Sequence, residues 1–388
     1  MRRSLTGLLT ADVISTAGTE MTAVALPWLV LISTGSPVRM GAVLAAEFVG
    51  MAVLGLWGGW LATVIGPRRM MLAADLTRAL LVGLVALLSI VDALVLPVLL
   101  VVGFAVGAFF PGYASSQRLI LAQIVGEDEV RLTRASGLLN AVNETASFVG
   151  PGLGGVLVVL FGAAKVVALD AASYLSAFLL LLLLVRPEPV DLGGEPASSS
   201  VLAGLRYLLR DRSLRLRLAG IGLIEVAFTA LLATVPVLAL RGGGASVAGW
   251  LLASYGAGSV IGGLLSARVR WATASILGIA ASTWLLLLPV PVWTLAGAIA
   301  LNGVCSGLFF PRFFATLTLE TPPALRARVI TAVNIVISAP GPIGFLAAGF
   351  SSGNLWLIVV PATFGAGLYA LSGGTRIQSP VRAGAGHD

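Results

Sequence analysis

Long apolar runs alternate with short polar segments along the whole chain. About twelve of these runs approach the ~20 residues that cross a bilayer core as an α-helix. The pattern therefore predicts an all-α membrane protein with twelve transmembrane helices. The runs lie near residues 8–33, 40–62, 70–90, 94–117, 135–160, 166–185, 216–240, 247–267, 273–290, 293–317, 329–350 and 354–373.

The chain also repeats itself. The segment GAFFP at Gly107–Pro111 recurs as GLFFP at Gly307–Pro311, and AVN at Ala141–Asn143 recurs at Ala332–Asn334. Such repeats are typical of two parallel structural halves. The polar stretch between them combines a Pro, Gly and Ser-rich part with a basic amphipathic part that is expected to form an interfacial helix. We expect an N-terminal six-helix half, a cytoplasmic linker, and a C-terminal six-helix half with a short tail, at residues 1–185, 186–215 and 216–388.

Composition excludes a water-soluble globule. Hydrophobic residues make up 58% of the chain, charged residues 11%, and the mean hydropathy is +1.01. This leaves too little polar surface to cover a soluble domain.

The basic residues set the expected orientation. Eighteen of the 24 Lys and Arg residues fall in segments on the side of the N-terminus, while Arg39, Lys165 and Arg241 fall on the other side. The positive-inside rule therefore predicts that both termini are cytoplasmic. Basic loops beside anionic lipid also explain the net charge of +7 without a nucleic-acid partner. The excess of Arg over Lys, with abundant Ala and Gly, indicates a bacterial source and hence the inner membrane.

Two glycine-containing motifs stand out. The fifth run contains NAVNETASFVGPGLGG, in which small residues permit close helix packing and a proline permits bending. The loop after the second run contains GGWLATVIGPRR, with Gly59, Gly66, Arg68 and Arg69. The fifth-run pattern consists of Gly137, Ala146, Gly150, Pro151, Gly154 and Gly155.

Together these features resemble the major facilitator superfamily, and within it the bacterial branch that contains the enterobactin exporter and macrolide efflux proteins. The resemblance implies secondary transport by alternating access, with spans one, four, seven and ten lining a central cavity. It also implies that the fifth-span pattern is the superfamily's antiporter signature, which occurs mainly in exporters. The loop departs from the superfamily signature, because Thr63 stands where an acidic residue is expected.

Three glutamates near span centres are candidates for proton coupling. Placing a carboxylate at the centre of a span costs roughly 2.5–3.5 kcal/mol on insertion scales, so such residues usually face a cavity, a partner or a transport path. We expect Glu20, Glu225 and Glu144 to exchange protons, with Glu20 as the indispensable acid. The alternative is a structural role, in which Asn140 and Asn143 hold a protonated Glu144.

Further polar residues are candidates for the cavity or for charge pairs. Asp75 and Arg78 lie one turn apart and are expected to pair. Arg312 is a candidate counter-charge, although it could equally reach the cytoplasmic interface. Other acids lie away from the span centres, at Asp12, Glu47 and Asp170.

An enzyme is the rival interpretation. The sole His is His387 in the tail and the sole Cys is Cys305 within a span, so no Cys/His dyad or multi-His metal site can form. No phosphate-binding G-x-x-x-x-G-K-[ST] loop is present. We therefore predict a monomeric, proton-coupled exporter of a small organic molecule such as a drug or siderophore, with no cofactor, working in the lipid bilayer. An importer or uniporter of the same fold, a non-transporting scaffold or sensor, and a carboxylate-based membrane enzyme remain alternatives.

Overall fold

The structure is a computed structural model that describes residues 2–125, 129–185, 205–266, 268, 272–291, 294–321, 326–351 and 354–372. Within these ranges the chain is almost entirely helical and contains no strand. The N-terminal half contains α1 (Arg2–Thr34), α2 (Pro37–Ile65), α3 (Pro67–Ile90), α4 (Leu96–Val125), α5 (Glu129–Phe161) and α6 (Ala163–Leu184). The C-terminal half contains α7 (Arg212–Gly242), α8 (Gly244–Leu265), α9 (Ala272–Trp284), α10 (Leu295–Glu320), α11 (Arg326–Ser338), α12 (Gly341–Phe350) and α13 (Trp356–Leu371).

The helices form a membrane bundle. Nine helical stretches of the described chain are long and apolar enough to span a bilayer, and three shorter apolar helical stretches supply the remaining positions. Large apolar side chains are exposed around the bundle, among them Leu80, Leu183 and Phe350. An apolar exterior of this kind suits hydrocarbon rather than water. The predicted all-α fold with twelve spans is confirmed.

One predicted span is not a single helix. The run at 329–350 is divided into α11 and α12 by a turn at Ala339–Pro340. Proline has no backbone N–H and disfavours helical geometry in the residue before it, so the backbone breaks here. At the start of α12, the hydroxyl of Thr229 of α7 lies 2.9 Å from the carbonyl oxygen of Gly341 and joins the two helices.

The repeated glycine motif makes the same contact in each half. Gly103 and Gly107 of α4 face the backbone of α2 at Val43 and Glu47. Gly303 and Gly307 of α10 face the backbone of α8 at Tyr255 and Ser259. In all four cases a side chain would leave little or no room for the facing carbonyl, which explains why glycine stands at these positions.

The two halves meet at one end of the bundle. We call the end that carries the start of α1 the inner end and the opposite end the outer end. Near the outer end α5 crosses α8, and α2 crosses α12. An added Cβ on Gly155 would lie 2.7 Å from the carbonyl oxygen of Ala245, and the Phe48 and Phe345 rings meet edge to face at 5.0 Å. The outer end is therefore closed.

The linker is described only in part. Residues 186–204 lie outside the described residues, so the division of the chain at 186–215 stays a prediction. Residues 205–210 are helical, and the Tyr207 hydroxyl donates to the Glu320 carbonyl oxygen at 3.3 Å. Arg217 also pairs with Glu320 at 3.6 Å. This end of the linker thus rests on the inner end of the C-terminal half.

Candidate functional site

The α5 motif lies at a three-helix junction. On one side Gly150 and Gly154 face α1, where an added Cβ on Gly154 would lie 2.7 Å from the carbonyl oxygen of Met21. On the other side Gly155 packs against Gly249 of α8, which itself faces the carbonyl oxygen of Pro151. The motif thus joins the interior of the N-terminal half to the contact between the halves. Ala146 lies one turn before Gly150 on the same helix and is half-buried. Gly137 lies nearer the start of α5, and a Cβ added there would have no described neighbour within 4 Å.

Glu20 of α1 packs directly on Gly150. Its Cβ is the nearest atom to a Cβ built on that glycine, and the side chain is half-buried. In the other half, Thr229 of α7 makes the corresponding contact with Gly341. Glu20 therefore occupies a position that a neutral hydroxyl occupies in the second repeat.

Glu225 lies elsewhere in the repeat, one turn toward the inner end from Thr229. It lines a small pocket of about 80 Å³ within the C-terminal half, together with Phe228, Asn302 and Ser306. The Asn302 amide donates to Ser282 Oγ at 2.8 Å, so this pocket has a neutral polar wall. Glu225 is the pocket's single acidic lining residue among those described.

The side chains of Glu144 and Asn140 lie outside the described residues. Asn143 is described, and its Oδ1 accepts a long hydrogen bond of 3.4 Å from the Thr16 hydroxyl of α1. The proposed hydrogen bond between Asn143 and Glu144 stays a prediction.

Asp75 and Arg78 do not form the direct ion pair that their spacing suggested. Both are buried, at 0% and 5% exposure, yet neither Asp75 oxygen has a hydrogen-bond partner among the described residues. The Arg78 guanidinium instead lies over the rings of Tyr113 and Tyr174, at 5.2 Å and 5.6 Å from their centroids. Cation–π contact with two rings holds the guanidinium away from the carboxylate, although the two remain within electrostatic range.

Three more acids lie near this pair, two of them within electrostatic range of Arg78 and the third, Asp12, within range of Asp75. Asp12 of α1 is buried and accepts a hydrogen bond from Gln117 of α4. Asp170 of α6 is 2% exposed and accepts a hydrogen bond from Ser173 at 3.2 Å. Glu47 of α2 lies within electrostatic range of Arg78, as does Asp170. We call Asp12, Glu47, Asp75, Asp170 and Arg78 the N-half charge cluster.

A cavity of about 210 Å³ adjoins the outer part of this cluster. Glu47, Asp170, Tyr174, Thr19 and Thr22 are the polar residues of its wall, and the Tyr174 hydroxyl is hydrogen-bonded to Thr19 at 2.8 Å. The remaining wall is apolar and includes residues of both halves, namely Leu232, Leu252 and Phe345 on the C-terminal side. Phe48 and Phe345, which meet at the outer closure, both line it. The outer closure thus covers the two acids.

A second cavity of about 580 Å³ lies nearer the inner end. It is lined by Thr145 of α5 and by residues of α8 and α10 that include Tyr255, Ser306 and Phe310. Its polar groups are hydroxyls, and no charged residue is among the described residues that line it. Its size and neutral wall suit a small organic molecule better than an ion.

Two arginines, Arg68 at the start of α3 and Arg312 within α10, donate hydrogen bonds to the ends of neighbouring helices. Gly66, with φ of 88°, makes the sharp turn between α2 and α3. The Arg68 guanidinium then donates to the carbonyl oxygens of Val185 and Leu182 at the end of α6. Arg312 similarly donates to the Ser266 carbonyl oxygen at 2.7 Å, at the end of α8. Cations are favourable at the negative ends of helices, so Arg312 neutralises a helix end rather than one of the mid-span glutamates.

The remaining loop residues contribute less. Arg69 is exposed, and Gly59 lies within α2 in a stretch whose side chains are not described. No group of three or more His, Cys, Asp or Glu residues in the described part of the chain could hold a metal ion.

Sequence reasoning missed the N-half charge cluster as a unit. It placed Asp12, Glu47 and Asp170 away from span centres and treated them separately. The available signal was helical spacing, since Asp170 and Tyr174 lie one turn apart, as do Asp75 and Arg78. The two pairs come together because α3 packs against both α4 and α6, and spacing within one helix does not reveal this packing.

Comparison with known proteins settles the family. Residues 8–345 match the Major Facilitator Superfamily. The chain belongs to this superfamily. It is therefore a multi-pass membrane transporter for small molecules rather than an enzyme.

Similar proteins include named efflux pumps. The chain is 28% identical to the multidrug efflux pump Tap of Mycolicibacterium fortuitum, over 88% of this chain and 87% of that protein. It is also 28% identical to Tap of Mycobacterium tuberculosis strain H37Rv, over 94% of this chain and 88% of that protein.

Solved structures show the same superfamily fold at low identity. A variant of the nucleoside transporter NupG superposes with a TM-score of 0.78 at 12% identity, covering 95% of this chain and 98% of that one. A bacterial homologue of the human lysosomal transporter Spinster superposes with a TM-score of 0.70 at 15% identity, covering 95% and 96% of the two chains.

Proposed function

We propose that this protein is a secondary active exporter that moves a small organic molecule, such as a drug or siderophore, out of the bacterial cytoplasm in exchange for protons. It works as a monomer in the inner membrane with both termini in the cytoplasm. The similarity to Tap over most of both chains supports export of a drug. The excess of basic residues in segments on the side of the N-terminus supports the orientation.

The observation that carries proton coupling is the set of acids inside the spans. Ionised carboxyl groups are costly in hydrocarbon, so acids held there bind protons readily and release them when water reaches them. Glu20, Glu225 and Glu144 are the proposed coupling acids, with Glu20 indispensable. Its contact with Gly150 supports this role, because movement of α5 against α1 changes the surroundings of Glu20 directly.

The closed outer end supports uptake of the organic molecule from the inner side. With the N-terminus in the cytoplasm, the structure is closed to the outside, and the neutral inner cavity between α5, α8 and α10 is where the organic molecule is taken up. Opening of the α5–α8 and α2–α12 crossings then releases it outward and admits protons.

Transport into vesicles tests the proposal. Purified protein is placed in liposomes with an acidic interior and supplied with ethidium, a macrolide or a catecholate siderophore, and empty liposomes serve as the control. Ethidium is a permanent cation, so an acidic interior alone does not trap it. We expect at least one compound to accumulate above the control and to leave again when nigericin collapses the pH gradient. Equal accumulation with and without the gradient would favour a uniporter, and accumulation only with an alkaline interior would favour a proton-coupled importer.

A further inference from the structure

We propose that the N-half charge cluster is a proton-binding site in which Arg78 is the fixed positive charge and the surrounding carboxyl groups exchange protons. This inference rests on the proposed function and adds a site separate from Glu20, Glu225 and Glu144. Asp75, whose two oxygens are fully buried and without hydrogen-bond partners among the described residues, points to it most directly.

Charge balance requires protons in this cluster. Within the membrane-spanning part of the bundle, the carboxyl groups of Glu47, Asp75 and Asp170 lie within electrostatic range of one guanidinium, and the carboxyl group of Asp12 lies within range of Asp75. If all four were ionised, the excess negative charge would lie in a medium that stabilises it poorly. Some of these carboxyl groups therefore hold protons, and the titration belongs to the group rather than to a single residue.

The surroundings of Arg78 keep its charge in place. The guanidinium lies between two buried tyrosines, one on α4 and one on α6, that do not titrate in the neutral range. Among the described residues, the acids within electrostatic range of it are Asp75 on its own helix, Glu47 of α2 and Asp170 of α6. Asp12, which accepts a hydrogen bond from Gln117, lies within range of Asp75. A stacked arginine remains charged, so changes in proton occupancy must occur on the carboxyl groups.

The cluster extends from the inner third of the bundle toward its outer end. Asp75 lies three residues from Arg78 on α3, about 4.5 Å along the helix axis at the usual rise per residue. Asp170 and Glu47 lie on the far side of Tyr174, in the wall of the outer cavity. When the Phe48–Phe345 contact opens, external water reaches these two acids first.

The chemical step is a proton transfer. In the outward-open state a hydronium ion in the cavity gives its proton to the carboxylate of Asp170 or Glu47, leaving water and a neutral carboxylic acid. In the inward-open state a carboxylic acid of the cluster returns the proton to water on the inner side. Arg78 compensates the carboxylate that is left.

Among its described residues, the C-terminal half has no equivalent cluster of acids around a buried arginine. Its described buried polar residues are neutral, with Glu225 the acid of an adjoining pocket. They are Thr229, Thr234, Ser275, Ser282, Thr283, Asn302, Ser306 and Thr321. Proton binding of this kind thus belongs to the N-terminal half.

The test compares Asp75→Asn and Asp170→Asn with Asp92→Asn, a matched change in an exposed outer loop. The first readout is the infrared C=O band of protonated carboxylic acids in the purified protein at neutral pH. We expect the band in the wild type, a weaker band in both cluster variants, and no change in the control. For Arg78→Gln we expect a stronger band, because loss of the cation drives further protonation. No band in the wild type, or a band that the cluster substitutions leave unchanged, overturns the inference.

The second readout separates this inference from the proposed function. Gradient-driven accumulation of the compound that the vesicle assay identifies should fall to the level of empty liposomes in the cluster variants, while exchange of the labelled for the unlabelled compound at equal pH persists. Gradient-driven accumulation at the wild-type level in both variants contradicts the proton site alone. A wild type that shows no response to the pH gradient contradicts the proposed function, whatever the infrared band shows.

Discussion

At the residue scale, single glycines decide how closely the helices approach. Gly154 and Gly155 face carbonyl oxygens of α1 and α8, whereas a Cβ added at Gly152 would lie 3.5 Å from the Ala253 methyl group, an ordinary contact. The same helix therefore contains glycines that are required by packing and one that is not.

This difference gives a prediction with an internal control. Gly155→Ala should slow transport and lower the free energy of unfolding by about 1–3 kcal/mol, because the added methyl group forces α5 away from α8. Gly152→Ala should preserve transport and add up to about 1 kcal/mol of helix stability. Transport rates in vesicles and unfolding in mixed micelles measure both effects. Equal behaviour of the two variants would show that close packing at the outer crossing is unimportant.

At the residue scale, the sequence identified individual acidic residues but not which of them lie together in the fold. Glu20, Glu144 and Glu225 stood out because they lie near span centres. Asp12, Glu47 and Asp170 did not, because their importance depends on which helices pack against α3. Spacing alone brought Asp75 and Arg78 together, and only the positions of Tyr113 and Tyr174 show that the guanidinium turns to the rings.

At the element scale, apolar length predicted the spans well and helix ends less well. The run containing α1 was expected from residue 8, yet the helix begins at Arg2, since a helix can continue past the hydrocarbon. The break at Ala339–Pro340 was missed because the span was assigned from apolar length alone, although Pro340 and Pro342 in the sequence are the signal for a turn.

The contact between α7 and the start of α12 gives a prediction about Thr229. Thr229→Val removes the hydroxyl that contacts the Gly341 carbonyl oxygen and should destabilise the protein by ~0.6 kcal/mol, up to ~1.7 kcal/mol, the range measured for hydrogen bonds between membrane helices. Thr234→Val on the same helix is the control, because its buried hydroxyl has no partner among the described residues. Unfolding in mixed micelles compares the two, and an equal or larger loss for Thr234→Val would argue against the role of Thr229.

At the scale of the whole molecule, the two halves share packing but differ in charge. The glycine contacts of α4 with α2 recur between α10 and α8, which is why a repeat could be read from the sequence. The N-terminal half contains the charge cluster, and the C-terminal half contains neutral polar groups and Glu225. This asymmetry supports a division in which protons bind mainly in one half and the organic molecule binds between the two.

The central claim is that one protein binds the organic molecule and protons in exchange for each other. Its most direct test is proton release on addition of saturating ethidium, or of another compound that the vesicle assay identifies, to purified protein in weakly buffered detergent at neutral pH. The account predicts that protons are released and, by reciprocity, that affinity for the compound increases as pH rises. Binding without proton release, and with an affinity independent of pH, would contradict it.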